Sequence, residues 1–559
     1  MAVKEVSTAQ SGRSEYGARP AAWHAMRLER PFGWLEFFLA LSGLALVAAL
    51  ALGPHIQHGG FYMDDWSNAA GALQQPGSFD FGKALSYFAE ITNYRPVLVL
   101  YVPLTYFAFG MNVGLHLAWA AVLAVLAAAS FYAVLRTLGV PWLHALVIAA
   151  LTIVFPWSDS TRLWPTAGQP TLSIFLAMTG LYLALLGLRR RRWGWHLAAA
   201  ACYLLSILTY EVTIPLIACA GFLYWRQAGW PEARLRWLTD LAIAIAGAIW
   251  VGAHTDRTKA GIAGNLEHLE QIVTSGGTIL GRTGLPVGAQ QTTLVLCGIG
   301  LTIAAGAAAY FSNRRLPAWA GWGLPGWLIL TGGGVALAVL GWVMFIPADP
   351  YYTPSVYGMT NRVNALAAFG LVTAVYGSAG ILGSLVAAAM RPKGSVLLST
   401  TVTVVLGAVL LASYTHVLRR HIAIWDTAYL SETNAINKIK RALPVLPPKT
   451  TVFVGGYPAN QTLGVPILGS IWDLDGMVKL EYDDMSLRAY PILPGLQLVC
   501  RAKGVALVGT GAPERAAPYG TARLLDLSLG RRAAPRSAEA CRRIVRDFVP
   551  GQLYLSVAY

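Results

Sequence analysis

The feature that most restricts the fold of this chain is a series of long apolar segments separated by shorter polar ones. Each segment has roughly 15–26 residues, and an α-helix needs about 20 apolar residues to cross a bilayer. Of the 559 residues, 55% are hydrophobic and only 12% are charged, which excludes a soluble globular enzyme and a disordered chain. We therefore predict an all-α polytopic membrane protein with about eleven transmembrane helices. The apolar segments cover residues 33–54, 112–135, 141–157, 170–188, 194–210, 212–226, 237–253, 291–311, 321–346, 364–388 and 395–414.

Lysine and arginine are distributed unevenly among the polar segments. With the amino terminus inside, the inner segments carry seventeen of the 42 basic residues and the outer loops carry seven. Positive charge accumulates on the cytoplasmic side of membrane proteins, so we predict an N-in, C-out topology. The predicted parts are a basic cytoplasmic tail (1–31), a transmembrane catalytic domain (32–414) and an extracytoplasmic domain (415–559).

The carboxy-terminal part differs in composition, with shorter apolar runs and more frequent charges. An amphipathic helix is predicted at 425–443, followed by short buried strands at 450–454 and 505–508, so we expect a small α/β domain. Cys500 and Cys541 both lie in this external part, where oxidation is permitted, and they are candidates for a disulfide. The sequence leaves open whether the two meet, because it does not supply their separation.

Two adjacent carboxylates, Asp64 and Asp65, follow the first apolar segment in a long outer loop, 55–111. Burying either one in lipid is costly, so both must face water or a polar cavity. A lipid-borne substrate meets water at this point, so we interpret the pair as catalytic. One carboxylate would be the general base, and its neighbour would orient the acceptor hydroxyl or hold a divalent cation, Mg²⁺ or Mn²⁺. The alternative is a solvated pair that caps the next helix. The same loop contains a short apolar piece, 97–109, predicted as a helix along the membrane interface.

Several other ionisable residues lie at the predicted outer face. Arg95 and Arg162 are placed at the depth of lipid phosphates, where a guanidinium fork binds phosphate and stabilises a leaving group, or else anchors the chain at the interface. Glu211 interrupts an apolar hairpin and is either functional or a cap at the turn. Arg362 closes the third outer loop and is a further candidate for the same cavity.

His254 and Arg257 begin the second long outer loop. Long ordered loops often carry function, which makes both residues candidates for substrate binding. The alternative is that they are simply solvated loop charges.

The order of these features resembles the GT-C superfamily of membrane glycosyltransferases over roughly residues 33–260. The resemblance implies a sugar donor on a polyprenyl phosphate, transfer on the outer face with inversion, Asp64 or Asp65 as the base, and Arg95, Arg162 and Arg362 as phosphate partners. Many members have Asp-Glu or a lone Asp at this place, so which carboxylate acts stays open. The matching residues are Asp64-Asp65, Tyr94-Arg95-Pro96, Phe109-Gly110, His116, Phe155-Pro156, Arg162-Leu163-Trp164, Tyr210-Glu211 and Pro215.

The prediction is therefore a bacterial inner-membrane glycosyltransferase. It would move a sugar, a pentose such as arabinofuranose or a hexose, from a polyprenyl-phosphate donor to a cell-envelope glycan, lipid or protein. The external domain resembles that of arabinofuranosyltransferases in placement only. A phosphate leaving group carries charge well, so no cofactor is required, and nucleic acid is not an expected partner. The alternatives are a flippase for a lipid-linked glycan, which would show charges deep within helices, and a non-catalytic envelope-assembly protein.

Overall fold

The computed structural model describes residues 33–73, 79–255, 261–284, 324–390, 395–509 and 516–548, and helix predominates in them. The α-helices are α1 (Trp34–His58), α2 (Asp64–Leu73), α3 (Phe81–Ile91), α4 (Pro96–Phe109), α5 (Val113–Thr137), α6 (Trp142–Val154), α7 (Ser160–Leu163), α8 (Gln169–Arg190), α9 (Trp193–Thr209), α10 (Ile214–Cys219), α11 (Gly221–Ala228), α12 (Trp230–His254), α13 (Ile262–Gly284), α14 (Leu324–Val343), α15 (Ala367–Met390), α16 (Ser395–Ala442), α17 (Ile471–Glu481) and α18 (Ala538–Phe548). The strands are β1 (Thr451–Gly455), β2 (Asn460–Gln461), β3 (Val465–Pro466), β4 (Arg488–Pro491), β5 (Gln497–Arg501), β6 (Gly504–Val508), β7 (Ala517–Pro518), β8 (Ala522–Asp526) and β9 (Arg531–Ala533).

Seven of the described helices are long and apolar enough to cross a membrane, and they coincide with seven predicted segments. They are α1, α5, α8, α12, α14, α15 and α16. Two further segments form the shorter apolar helices α6 and α9, of 13 and 17 residues. The predicted segment 291–311 lies outside the described residues.

The predicted segment 212–226 is not a single helix. It is divided among a 3-10 turn at Glu211–Thr213, α10 and α11. Pro215 lies in the first turn of α10, where its missing N–H costs no hydrogen bond, so a new helix starts there. The predicted span at this place is therefore interrupted, and the total of eleven spans and their orientation stay predictions.

The described residues of the first outer loop are mostly helical. They fold into α2, α3 and α4, and α4 occupies the position of the predicted interfacial helix. Asp80 caps α3 by accepting a hydrogen bond from the backbone N–H of Lys83, and Pro96 starts α4 in the position that suits proline. The loop is thus an ordered platform beside the end of α1.

The last apolar segment continues into the carboxy-terminal part without a break, as the 48-residue helix α16. The predicted domain boundary at 414/415 falls inside this helix. The amphipathic stretch predicted at 425–443 is its second half, in which Trp425, Ala435 and Ile439 are buried. A continuous helix joins the membrane part to the domain beyond it.

The carboxy-terminal domain is α/β, as predicted. Its main sheet has the strand order β4-β1-β8-β9, with β1 parallel to both β4 and β8 and β9 antiparallel to β8. A second sheet, β5-β6-β7, is antiparallel. Cys500 of β5 and Cys541 of α18 form a disulfide, with their Cα atoms 5.9 Å apart.

Candidate active site

The acidic pair stands at the start of α2, directly after a tight turn. Met63 has a φ of 47°, in the left-handed region that a side chain other than glycine rarely adopts. The turn directs the chain from the end of α1 into α2 and leaves Asp64 and Asp65 in the first helical turn. Negative charge is favourable at a helix amino terminus, because the first backbone N–H groups are not bonded within the helix.

Asp65 is buried and its carboxylate is fully engaged. One oxygen accepts the backbone N–H of Tyr62 at 2.9 Å, and the other accepts both the backbone N–H of Thr166, at 2.8 Å, and the Thr166 hydroxyl. Burial raises the pKa of Asp65 to about 7, against the lowering effect of these hydrogen bonds. Asp65 therefore ties α2 to the chain that precedes α8.

Asp64 is placed differently. Its Oδ1 accepts the indole N–H of Trp472, from α17, at 2.7 Å, and its Oδ2 accepts no hydrogen bond from any described residue. Burial raises the pKa of Asp64, while the charge of Arg362 and the hydrogen bond from Trp472 lower it. Of the two carboxylates, only Asp64 combines a raised pKa with an oxygen left for a substrate.

Arg362 is the cation next to Asp64. Its guanidinium carbon lies 5.2 Å from the ring centroid of Trp164, 5.9 Å from that of Tyr351 and 5.7 Å from that of Tyr352. Within the described part of the chain, the guanidinium makes no hydrogen bond and no ion pair. Aromatic faces hold a cation without using its N–H donors, so these donors stay available to an anionic ligand.

Arg95 and Glu211 form a buried pair. The Arg95 Nε–H donates to Glu211 at 2.9 Å and its Nη2–H donates to the other carboxylate oxygen at 2.7 Å, a bidentate arrangement. The guanidinium lies 4.9 Å from the ring centroid of Tyr94 and 3.8 Å from that of Tyr210. The charges of Arg95 and Arg362 both act on the Tyr210 hydroxyl, whose pKa burial raises and both guanidinium groups lower. The pair thus adjoins the Arg362 site, with two Arg95 donors already committed to Glu211.

Arg162 is bound to the end of α6 and not to the acidic pair. Its Nη1 donates to the Thr152 carbonyl and the Ser158 hydroxyl, each at 3.4 Å, and its Nη2 donates to the Phe155 carbonyl. Burial lowers the pKa of Arg162 to about 10, against the charge of Asp159. A cation that binds carbonyls at the end of α6 is a helix cap, so this geometry favours a structural role over the predicted phosphate contact.

A polar network holds the chain between α6 and α8 in place. Asp159 lies 2.5 Å from His421 of α16 and accepts a hydrogen bond from the Asn361 amide at 2.6 Å. The amide oxygen of Asn361 accepts the Ser160 hydroxyl at 2.6 Å. Asn361 directly precedes Arg362, so the network fixes the position of that guanidinium relative to the loop that binds Asp65.

The two remaining candidates are not part of this cluster. His254 is exposed at the end of α12, where its Nδ1 lies 2.9 Å from the Trp250 carbonyl and its ring stacks on Trp250. Arg257 lies outside the described residues.

The carboxylates do not offer a shared metal site. Among the described residues, no group of three or more His, Cys, Asp or Glu side chains is arranged to hold a metal ion. Both oxygens of Asp65 are occupied by N–H and O–H donors, so the pair cannot present them jointly to a cation. The donor set does not fit the Mg²⁺ or Mn²⁺ considered from the sequence, and no step below uses one.

The carboxy-terminal domain covers the acidic pair closely. A Cβ atom on Gly476 of α17 would lie 2.5 Å from the Trp66 carbonyl oxygen of α2, so only glycine permits this approach. The Trp66 indole donates to Glu432 of α16 at 3.0 Å, and Glu432 also accepts the Leu468 backbone N–H at 3.3 Å. These contacts place Trp472 against Asp64.

Sequence reasoning missed Trp472 and Thr166, the two residues that distinguish the carboxylates. Each lies about a hundred or more positions from Asp64, and neither belongs to a motif. Asp159 carried a weaker signal, because it lies in a polar stretch of a predicted outer loop that is otherwise flanked by apolar segments.

Three solved structures overlap with most of this chain. The Archaeoglobus fulgidus oligosaccharyltransferase in the apo form shares 13% identity over 82% of this chain and 65% of its own, with a TM-score of 0.37. The A. fulgidus oligosaccharyltransferase AglB in complex with an inhibitory peptide and a dolichol-phosphate shares 14% over the same proportions, with a TM-score of 0.38. ArnT from Cupriavidus metallidurans in the apo state shares 15% over 82% of this chain and 85% of its own, with a TM-score of 0.42.

These enzymes are GT-C glycosyltransferases. This chain spans about 65% of the length of the oligosaccharyltransferase. No family model and no curated protein sequence matches the chain. Overlaps this loose do not match individual side chains, and the roles proposed below rest on contacts within this protein.

Proposed function

We propose that this protein is a polyprenyl-phosphate-sugar-dependent glycosyltransferase that acts at the outer face of the bacterial inner membrane. The observation that carries the proposal is that the charge of Arg362 acts on Asp64, a carboxylate with a raised pKa, while among the described residues Asp64 Oδ2 accepts no hydrogen bond and the Arg362 guanidinium donates none. A base and an anion-binding cation that act on the same site are what a displacement at a sugar phosphate needs.

The reaction is a single displacement at the anomeric carbon. Asp64 Oδ2 accepts the proton of an acceptor hydroxyl while the oxygen of that hydroxyl forms a bond to the anomeric carbon. The bond from the carbon to the phosphate oxygen breaks at the same time, and its electron pair leaves with polyprenyl phosphate. One displacement inverts the anomeric configuration.

Arg362 binds the donor phosphate and stabilises the negative charge that grows on it as the bond breaks. Its donors are positioned before the reaction by the aromatic rings and by the network through Asn361, so little reorganisation is needed. Asp65 is a positioning residue, because its oxygens hold Thr166 and Tyr62 rather than the substrate.

The roles of Arg95 and Glu211 follow from their pairing. Each satisfies the other's charge, and their place beside Tyr210 makes them a wall of the donor site. Direct phosphate binding by Arg95 uses only the donors that Glu211 leaves free.

The donor sugar is tested first, with a cell-envelope glycan fraction present as the acceptor. Purified protein in nanodiscs is offered a panel of polyprenyl-phosphate pentoses and hexoses, and release of polyprenyl phosphate is measured. We expect release from one donor class. If no donor is consumed but a lipid-linked glycan crosses the bilayer of proteoliposomes, the protein is a transporter and the proposal fails.

A further inference from the structure

A pocket opens beside α2, the helix that begins with the acidic pair, and Trp472 lines it. It has a volume of about 370 Å³ and lies between α2, α3 and the segment from α17 to β4. Neither Arg362 nor any other residue of the donor site described above lines it, apart from the shared indole. The residues that matter to its chemistry are Ser67, Gly71, Tyr87, Trp472, Lys479 and Arg488.

Two aromatic rings form walls of this pocket. Trp472 is 46% exposed although its indole N–H is bound to Asp64. The ring of Tyr87 lies against Gly71, where a Cβ atom would come within 2.0 Å of it, so glycine lets the ring pack onto the α2 backbone. Rigid, partly exposed aromatic faces of this kind suit the C–H faces of sugar rings, because they supply contact area with little loss of conformational freedom.

Three charged side chains supply hydrogen-bonding groups at fixed positions. Asp475 accepts from Lys479 at 2.5 Å, from Arg488 at 3.4 Å and from the backbone N–H of Ala489 at 3.0 Å. The two cations share one carboxylate, so each keeps N–H donors that the described residues do not use. A few oriented donors beside aromatic surface are typical of sites that recognise a neutral or weakly charged polar ligand.

The position of the pocket relative to Asp64 indicates which of the two substrates it binds. The charge of Arg362 acts on Asp64, and Trp472, which lines the pocket, donates its indole N–H to the same carboxylate. A displacement brings the nucleophile to the face of the anomeric carbon opposite the leaving phosphate, and catalysis requires both to be held in that geometry. A donor phosphate at Arg362 and a hydroxyl arriving past Trp472 would meet at Asp64.

We propose that this pocket is the acceptor subsite and that it binds an oligosaccharide. Sugar rings stack on Trp472 and Tyr87, hydroxyl groups bind Lys479 and Arg488, and the terminal hydroxyl reaches Asp64 along the edge of the indole. The inference rests on the proposed function for the identity of the reaction, but the pocket's affinity for oligosaccharides is a separate property.

Binding is therefore measured without turnover. Full-length protein in detergent is applied to an array of short neutral and uronic-acid-containing oligosaccharides, together with the double variant Lys479→Met/Arg488→Met. The control is Lys440→Met, which removes an exposed lysine paired with Glu481 outside the pocket. Thermal midpoints must match, so that loss of binding is not loss of folding.

We expect the wild type and Lys440→Met to bind a common set of oligosaccharides, and the double variant to bind that set at least about tenfold more weakly, the loss expected for charge-assisted hydrogen bonds. Absence of binding by the wild type, or equal binding by all three proteins, overturns the proposal. If polyprenyl phosphate is also released in the donor assay, the double variant should raise the acceptor KM and leave the donor KM unchanged. Selective binding without any donor consumption would refute the proposed reaction while supporting an oligosaccharide site.

Discussion

Asp64 and Asp65 have different surroundings because successive residues of an α-helix point about 100° apart. Asp65 turns toward Thr166 and Tyr62, where three donors satisfy it. Asp64 turns toward Trp472 and Arg362, where one oxygen stays free. Asp64 is therefore available for the proposed chemistry, whereas Asp65 holds the surrounding chain in place.

The pH dependence of turnover tests the contact between Arg362 and Asp64. A base must be ionised, so activity falls as the pH drops through the raised pKa of Asp64. Arg362→Met removes a positive charge that lowers this pKa, so the pKa rises further and the acidic limb of the kcat profile moves to higher pH. Arg162→Met is the control, and an identical shift in both variants would contradict the assignment.

Arg162 and Arg362 should also differ in function, because one contributes to stability and the other to donor binding. Arg162→Met removes hydrogen bonds to the carbonyls at the end of α6 and should destabilise the protein by about 1–3 kcal/mol, with an unchanged donor KM. Arg362→Met should leave the thermal midpoint in place and weaken donor binding. Denaturation in nanodiscs and donor titrations measure the two effects. A higher donor KM for Arg162→Met would restore its predicted phosphate role.

At the scale of helices, the close approach of α17 to α2 holds Trp472 at Asp64. Gly476→Ala places a Cβ atom 2.5 Å from the Trp66 carbonyl, and relief of that overlap costs about 1–3 kcal/mol and separates the helices. We expect kcat to fall at least about tenfold, in line with the rate cost of small misplacements. Gly520→Ala, where nothing lies within 4 Å, is the control in the same domain. Wild-type kcat in Gly476→Ala would show that the contact does not serve catalysis.

The Arg95–Glu211 pair links the start of α4 to the turn before α10. Removing one member leaves a buried charge without its partner, so Arg95→Met and Glu211→Leu should each destabilise by about 3–5 kcal/mol. The double variant should recover much of that loss, because neither charge remains. Unfolding free energies of the four proteins complete the cycle. Additive losses would mean that the two residues do not interact.

At the scale of the whole molecule, the sequence predicted the helices and the domain type that depend on local residue patterns. Apolar length located α1, α5 and the other helices that could cross a membrane, but not the 23-residue helix α13, which lies in a predicted outer loop. The alternation of short strands with turns predicted the α/β domain. At 212–226 the apolar composition hides two interruptions, the 3-10 turn that ends at Thr213 and the junction between α10 and α11.

The different roles of Asp64 and Asp65 depend on contacts between distant parts of the chain. Thr166 reaches Asp65 from another loop, and Trp472 reaches Asp64 from another domain. The acidic pair itself could be found from the sequence, because charge beside an apolar segment is costly to place. The sequence could not show which carboxylate keeps an oxygen for the substrate, because nothing in the local pattern specifies the hydrogen-bond partners of Asp64 and Asp65.

The most direct test of the account is the kcat for polyprenyl phosphate release by Asp64→Asn, Asp65→Asn and the control Asp483→Asn. Asp483 is exposed and has a φ of 58°, which asparagine tolerates. We predict that Asp64→Asn loses about 10²-fold or more at an unchanged thermal midpoint, the loss expected for a general base. Asp65→Asn should lower the midpoint and retain measurable turnover, and Asp483→Asn should match the wild type. Full activity in Asp64→Asn would contradict the central claim.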